Sequence, residues 1–599
     1  MTAPHQTGRD LVSRLRPPDR RLLLGYGPAV VIAAAFLLMA LMVPTVAPEQ
    51  NVSSVGVGSG GGSSTQGLGP ATGLPVSGNA TTPAAAGAVA GSGGVSASGS
   101  RTGAVGSSSG GSGAKAGGGG GGGTGASTGP VQAPGVVAAC SGPQVAGDPY
   151  SPRCVRFSGS NGGATSRGVT ASHITISYRI PADNITSVDA AIQEIAGKYN
   201  ASEFTDTPAS IYRTLGDLIT YFNDHFQFYG RKLVLQSFHG QGQLTEEVTD
   251  GGQAQADADA LTAADSIKAF ADISALSQPY AQALSAQKVV NIGAPYMSQQ
   301  WFESQAPYSW SFFPNCTDLG NEGAAVAVRE IAGQNVSFAG TGVANGRPRK
   351  IAVLAPDNPV YQQCAAQVTS ALAKAGHPVA ANLSYTLDLS QLSQEAGSLE
   401  QQIVNDGITT VFCGCDPITL VYLTGDLYNA RYEPEWANIG AAFTDEDLVA
   451  QLFDQNVWAH AAGQTNNGTV PPYGSSLGYF AAKSVDPDNP PAHIVDLLYE
   501  DLYMLAIGIQ GAGPDLTPQT FEQGMFNYSG GDGEYGPWSF DVGGTGEFTP
   551  QHQFRFEWWD PNATSAFDGE KGSWVVGSTW YTSSDVPTGT PPVFPNGPQ

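Results

Sequence analysis

Four consecutive apolar residues, Ile351, Ala352, Val353 and Leu354, lead into a break at Pro356 to Pro359, after which Cys364, Val368, Ala371, Leu372 and Ala375 recur at helical spacing up to Gly376. An unalternating apolar run of this length predicts a strand covered on both faces, and the pattern after it predicts a helix packed against that strand. The stretch is one strand-turn-helix unit. Such units stack as a parallel sheet with helices on both sides, and ligands bind at the carboxyl ends of the strands. A chain built on this unit is therefore expected to be α/β.

The flanking sequence repeats the unit. Strands are expected at Ile174 to Ile180, Lys232 to Phe238, Ile267 to Ile273 and Val289 to Ile292, with helices at Ser210 to Phe222 and Ala254 to Ala264 and a further helical pattern at Val188 to Ile195. Trp301 to Cys316 is rich in aromatics and prolines and has no period. Beyond Gly376, a helix is expected at Leu399 to Asn405, a strand at Thr409 to Cys413, a helix at Pro417 to Ala430, a strand at Trp436 to Ile439 and a short helix at Asp447 to Phe453. His493 to Ile509 is strongly amphipathic, and Thr517 to Met525 restarts a helix after Gly511-Ala512-Gly513-Pro514. Aromatic runs between Phe540 and Val576 read as short strands whose rings pack or cover a hinge. Two α/β series imply two lobes: residues 140–316 for the first, 317–470 for the second, and 471–599 as the return to the first with the hinge.

The amino-terminal 139 residues differ in kind. Residues 1–21 form a short basic tail with five arginines against two acids, and Leu22 to Val43 is a run of 22 residues without charge. That is long enough to cross a bilayer as a helix. The arginines predict a cytoplasmic tail, a single-pass anchor in the cell membrane and an extracellular remainder. Residues 44–139 read as a disordered linker, since Asn51 to Ala139 holds no acid and no aromatic, and only Arg101 and Lys115 as charges. The net charge is −25; the tail accounts for +3, leaving −28 outside. So acidic a remainder argues against nucleic-acid binding and against adhesion to an anionic bilayer surface.

All six cysteines lie beyond the uncharged run, as expected in an oxidising compartment. Fifteen complete pairings are open, with Cys140–Cys154 the favoured local pair. Val137-Ala138-Ala139-Cys140 superficially resembles a lipoprotein processing box, but the apolar stretch such a box must follow ended almost a hundred residues earlier. Cys413-Gly414-Cys415 is too sparse for a metal centre without further Cys or His nearby, so disulfides are expected, and no metal or other cofactor.

Four segments in order carry a resemblance: Ile174 to Ile180; Tyr221-Phe222-Asn223-Asp224 through Tyr229-Gly230-Arg231-Lys232-Leu233; Arg349 to Gly376; and Ala512-Gly513-Pro514-Asp515-Leu516-Thr517-Pro518. Together, over about Gly168 to Val576, the chain resembles the type I periplasmic (extracellular) solute-binding proteins, in particular the branched-chain amino-acid and amide-binding group. The resemblance implies two Rossmann-like lobes joined by a hinge, an interlobe cleft that closes on a small polar solute such as an amino acid or amide, and delivery to the permease of an ABC transporter. Carried over by position, it implies ligand-binding residues Ser274 and Tyr296 in the first lobe and Asp357, Asn358, Tyr361 and Asp416 in the second. The chain departs from the pattern at Ala294, Pro295 and Tyr296, where a Ser or Thr is usual. Each residue also has a plain structural reading: a turn or cap for Ser274 and Asp416, packing for the two tyrosines.

No HExxH and no GxxxxGK[ST] occurs, and the eight histidines lack ligand spacing. No catalytic residue is expected, and the chain is read as a binder rather than an enzyme. The alternatives are a surface ligand sensor or protein-interaction module on the same fold and, further off, a secreted-type hydrolase.

Overall fold

The computed structural model describes residues 135–182, 206, 208–247, 251–388, 391–468, 471–567 and 569–589. The expected transmembrane helix at Leu22 to Val43, nearly all of the linker and the helical pattern at Val188 to Ile195 lie outside the described residues. Among the described residues no helix is long and apolar enough to cross a membrane.

The first lobe opens with a hairpin of β1 (Val136–Pro143) and β2 (Arg153–Ser158), closed by the expected Cys140–Cys154 disulfide. Val136 to Ala139 therefore belong to a strand and not to the linker. There follow β3 (His173–Ile180), α1 (Pro208–His225), β4 (Lys232–His239), α2 (Gln253–Leu261), β5 (Ala271–Asp272), α3 (Gln278–Ala286), β6 (Val290–Ile292), α4 (Gln299–Gln305) and β7 (Ser309–Trp310). The strands form an all-parallel sheet in the order β4-β3-β5-β6-β7. The strand expected from Ile267 shrinks to two residues because Thr262–Ile267 continues α2 as a π-helical turn. The aperiodic Trp301 to Cys316 segment holds the end of α4 and β7; from Ser309 to Cys316 every residue is buried, which leaves no period there.

The second lobe runs through α5 (Cys316–Val326), β8 (Ile351–Pro356), α6 (Pro359–Lys374), β9 (Ala381–Tyr385), α7 (Leu392–Asp406), β10 (Thr410–Cys413), α8 (Pro417–Ala430), β11 (Glu435–Asn438) and β12 (Ala461–Thr465). The apolar run Ile351 to Leu354 forms β8, which is buried at every position and sits between β9 and β10. Asn358 caps α6 by accepting the Val360 amide, with Pro359 at the first helical position, so the break at Pro356 to Pro359 is a helix start. Cys364 on α6 is bonded to Cys316 at the start of α5, and Cys413 to Cys415.

The remaining chain does not return to the first lobe as a block. Helices α9 (Leu477–Val485), α10 (Val495–Ala512) and α11 (Pro518–Phe526) do pack there, α9 and α10 against α1. Two small hairpins follow, β13 (Gly531–Gly533) with β14 (Gly536–Trp538) and β15 (Asp541–Val542) with β16 (Thr545–Gly546). Then β17 (Arg555–Thr564) and β18 (Lys571–Val576) extend the second lobe's sheet, giving the order β18-β17-β12-β11-β10-β8-β9. Phe556 and Trp559 on β17 and Phe554 just before it are fully buried, which is why the tail is so aromatic.

Among the described residues the chain thus crosses between lobes three times, at about 311–315, 466–476 and 549–554. The crossings touch one another: the Ser311 amide donates to the Phe548 carbonyl (3.2 Å), Asn315 Nδ2 to Thr549 Oγ1 (3.1 Å) and Asn466 Nδ2 to the Gln553 carbonyl (3.0 Å).

Candidate functional site

A cavity of about 170 Å³ lies where the carboxyl ends of the parallel strands of the two sheets face each other. This is where the strand-turn-helix architecture predicts a ligand. Its first-lobe wall is set by a buried ionic network at the end of β3. Arg179, 1% exposed, donates to both oxygens of Glu247 (2.6 and 2.7 Å) and to Asp259 (3.2 Å), and its guanidinium lies 3.7 Å from the ring centre of Tyr280. Glu247 also accepts from Ser277, which caps α3. Glu247, Ser277 and Gln278 line the cavity, so the network fixes one polar edge of it. From α10 comes Asp501, 5% exposed, whose Oδ1 has no hydrogen-bond partner. Burial, with the charge of Asp272 adding to it, pushes the Asp501 carboxyl well above the ordinary range.

The second-lobe wall is more apolar: Val353, Ala355, Tyr361, Ala365, Val368, Phe412 and Ile439 line it, with Cys364 and Cys415. Its polar group is Asp416. This residue caps α8 by accepting the Ile418 and Thr419 amides at Oδ1, and its Oδ2 accepts the Tyr385 hydroxyl at 2.6 Å.

The lobes meet at Tyr296. Its hydroxyl accepts the Phe443 amide at 3.2 Å, and its ring lies 5.4 Å from Phe313 and 5.9 Å from Phe443. Tyr296, Ala442 and Phe443 all have left-handed backbones, with φ of 57°, 52° and 63°. Non-glycine residues pay for that conformation, and such strain gathers where a structure must place a side chain against a ligand or a moving part. Here it turns two aromatic rings toward each other across the cleft. At the rim, Gln363 of α6 donates to Gln300 of α4 at 2.7 Å.

Of the six residues singled out in the sequence, the structure brings Tyr296, Tyr361 and Asp416 together on this cavity. Ser274 is not on its wall. Its hydroxyl donates to Asp272 (2.7 Å) and accepts the Arg179 amide (2.7 Å), which makes it a brace between β3 and β5. Asn358 is the α6 cap and Asp357 is exposed, accepting from Thr386 Oγ1 at 2.8 Å. Sequence reasoning missed Glu247, Ser277 and Asp501. The available signal was Glu500-Asp501, two acids set between Leu497, Leu498 and Leu502 in an apolar helix.

The pentapeptide Gly474 to Gly478 has the spacing of a serine-hydrolase elbow. Ser476 is instead the buried cap of α9, accepting the Tyr479 amide and bonded to Asp496, with no strand leading into it. Among the described residues no three His, Cys, Asp or Glu side chains are grouped to hold a metal ion.

No protein-family model and no curated protein matches the chain. Similar solved structures include an ABC-transporter solute-binding protein from R. palustris in complex with 4-hydroxybenzoate (12% identity, 69% of this chain and 97% of that one, TM-score 0.46). Others are a leucine-, isoleucine-, valine-, threonine- and alanine-binding protein from Brucella ovis in a closed conformation (13%, 70% and 98%, 0.47) and a fatty acid ABC transporter substrate-binding protein from Thermomonospora curvata (11%, 71% and 97%, 0.47). At these identities and TM-scores, neither ligand nor role is transferred from them.

Proposed function

We propose that the chain is a solute-binding receptor that holds a small molecule in the cavity between its two lobes. The observation that carries this reading is the buried carboxyl of Asp501, whose Oδ1 has no hydrogen-bond partner, on the wall of a cavity built by the strand ends of both lobes. A buried acid without a partner is costly, and a ligand donor at Oδ1 would remove the cost. The walls refine the ligand expected from sequence. A small, wholly polar solute would leave Val353, Ile439, Phe412 and the facing phenylalanines uncompensated, so the reading is a molecule with an apolar, ring-sized body and one or two hydrogen-bonding ends. One end reaches Asp501 and the other the Glu247–Ser277 edge.

Attachment to the cell membrane through Leu22 to Val43, an extracellular folded part and delivery to a permease belong to the same proposal. They rest on the uncharged run, the arginine tail and the sequence resemblance. No reaction is proposed.

Native mass spectrometry of the full-length chain released from mild detergent, before and after denaturation, tests the reading. A co-purifying small molecule that is lost from Asp501→Leu supports it. A cavity found empty in every preparation, together with no saturable binding of aromatic or aliphatic acids, amines and amides in titration calorimetry, would sink it.

A further inference from the structure

A second cavity, about 460 Å³, lies beside the first, behind a partition of Phe312, Phe313, Phe443 and Leu497 that both cavities share. Its lining is also largely apolar, but it gathers many more acidic residues than the first. Asp445 and Glu446 reach it from the loop after β11, Asp447 from the start of the short helix Asp447–Ala450, Asp496 and Glu500 from α10, Glu534 from the β13–β14 hairpin and Glu557 from β17. Against these seven carboxyls stand Arg555 and His493. Arg555 lies over Trp580 (4.6 Å) and donates to the Asn467 carbonyl, while His493 is paired with Asp206. None of the seven acids stands in a salt bridge among the described residues.

The cluster is also incompletely satisfied. Asp445 Oδ2 accepts from Thr465 and Asn467, but its Oδ1 has no partner; Glu557 Oε1 has none either. These two residues are 7% and 2% exposed, and both are on the wall of the cavity. The fold commits backbone to this arrangement: at Gly468 a Cβ would stand 1.6 Å from the Glu534 carbonyl, so the hairpin bearing Glu534 is pressed against the loop after β12. Burial raises Glu446, Glu500 and Glu557 well above the ordinary carboxyl range, with neighbouring acids adding to it.

We infer that this cavity is a second binding site, for an extended organic cation carrying two or more ammonium groups. Acids spread over a cavity this size, without a tight trio fit for a metal ion among the described residues, match several separated N–H donors better than one point charge. Tyr535 and Trp574 are also on the wall, and aromatic rings attract ammonium groups. The site does not depend on what fills the apolar cavity.

Titration calorimetry of the full-length chain in mild detergent, with spermidine as the probe and 1,8-octanediol as a neutral analogue of similar length, tests it. Saturable spermidine binding is expected, weakened at least tenfold by Asp445→Asn with Glu557→Gln, and unchanged by Asp265→Asn on the exposed surface of the first lobe. If the double variant does not fold, Glu534→Gln, only half-buried, is expected to weaken spermidine about threefold, and an unchanged affinity there overturns the inference. Absence of saturable binding, equal binding of the diol, or equal affinity in the double variant likewise overturns it. Failure of the apolar cavity to hold a ligand leaves these outcomes as they are.

Discussion

Removing one hydroxyl group should loosen the meeting of the two lobes. In Tyr296→Phe the ring contacts with Phe313 and Phe443, at 5.4 and 5.9 Å, remain. Only the 3.2 Å bond accepted from the Phe443 amide is lost. When the lobes part, water can serve both groups, so the bond's net worth to closure is about 1 kcal/mol, within the usual range of about 0.5–1.5 kcal/mol. That corresponds to roughly a fivefold shift of the closed-to-open ratio toward open, and to a similar loss of affinity for any ligand that needs the closed form. Dyes attached at Lys288→Cys and Lys374→Cys, exposed sites on different lobes, would report the ratio by single-molecule energy transfer. An unchanged distribution in Tyr296→Phe, or an equal change from the exposed Tyr428→Phe, would refute the assignment of Tyr296 as the interlobe contact that matters.

Arg179→Met strands Glu247 and Asp259 in a buried site, so urea unfolding should show a loss of about 3–5 kcal/mol, partly restored by adding Glu247→Gln. Replacing Cys316 and Cys364 together with serine opens a link across 48 residues and should cost about 2–4 kcal/mol in the same assay. Stability should fall as pH rises from 5 to 8. Burial lifts Asp445 from 3.8 to about 6 and Glu547 from 4.5 to about 7, so folding favours their protonated forms; that stability is complete below about pH 4 and is lost as pH rises through 6 and 7. His552 works in the same direction: burial opposes its charge, but Asp318 raises it overall, and its contribution is lost above its unfolded value. Thermal midpoints across this range check the sign, and a midpoint that rises toward pH 8 would contradict it.

The strands legible in the sequence were those with unbroken branched or apolar runs, such as β3, β8 and β10, because burial on both faces leaves a local mark. Ala461–Thr465 left none: AAGQT has no branched aliphatic residue, and Gly463 is there because a Cβ would stand 2.0 Å from the Asn438 carbonyl in β11. The addition of β17, and with it β18, to the second lobe was equally hidden, since the partner of β17, β12, lies some ninety residues earlier and no local pattern encodes it. The same holds for the cavities. Position after a strand pointed to Tyr296, Tyr361 and Asp416, whereas Glu247, Asp501 and the acidic ring are assembled from separate elements by the tertiary fold alone. Ser274 shows the reverse case: its place after β5 suggested a ligand contact, but Asp272 and the Arg179 amide occupy its hydroxyl.

The three crossings between the lobes have a mechanical consequence. The segment at 549–554 lies between the other two and is bonded to both, through Asn315 on one side and Asn466 on the other. Three chains laced side by side behave as a strip rather than a string. A strip folds readily along its width but resists torsion, because twisting shears the bonds that lace it. The two lobes should therefore swing like the covers of a book on one fixed axis, and each opening should bring the same walls back into register.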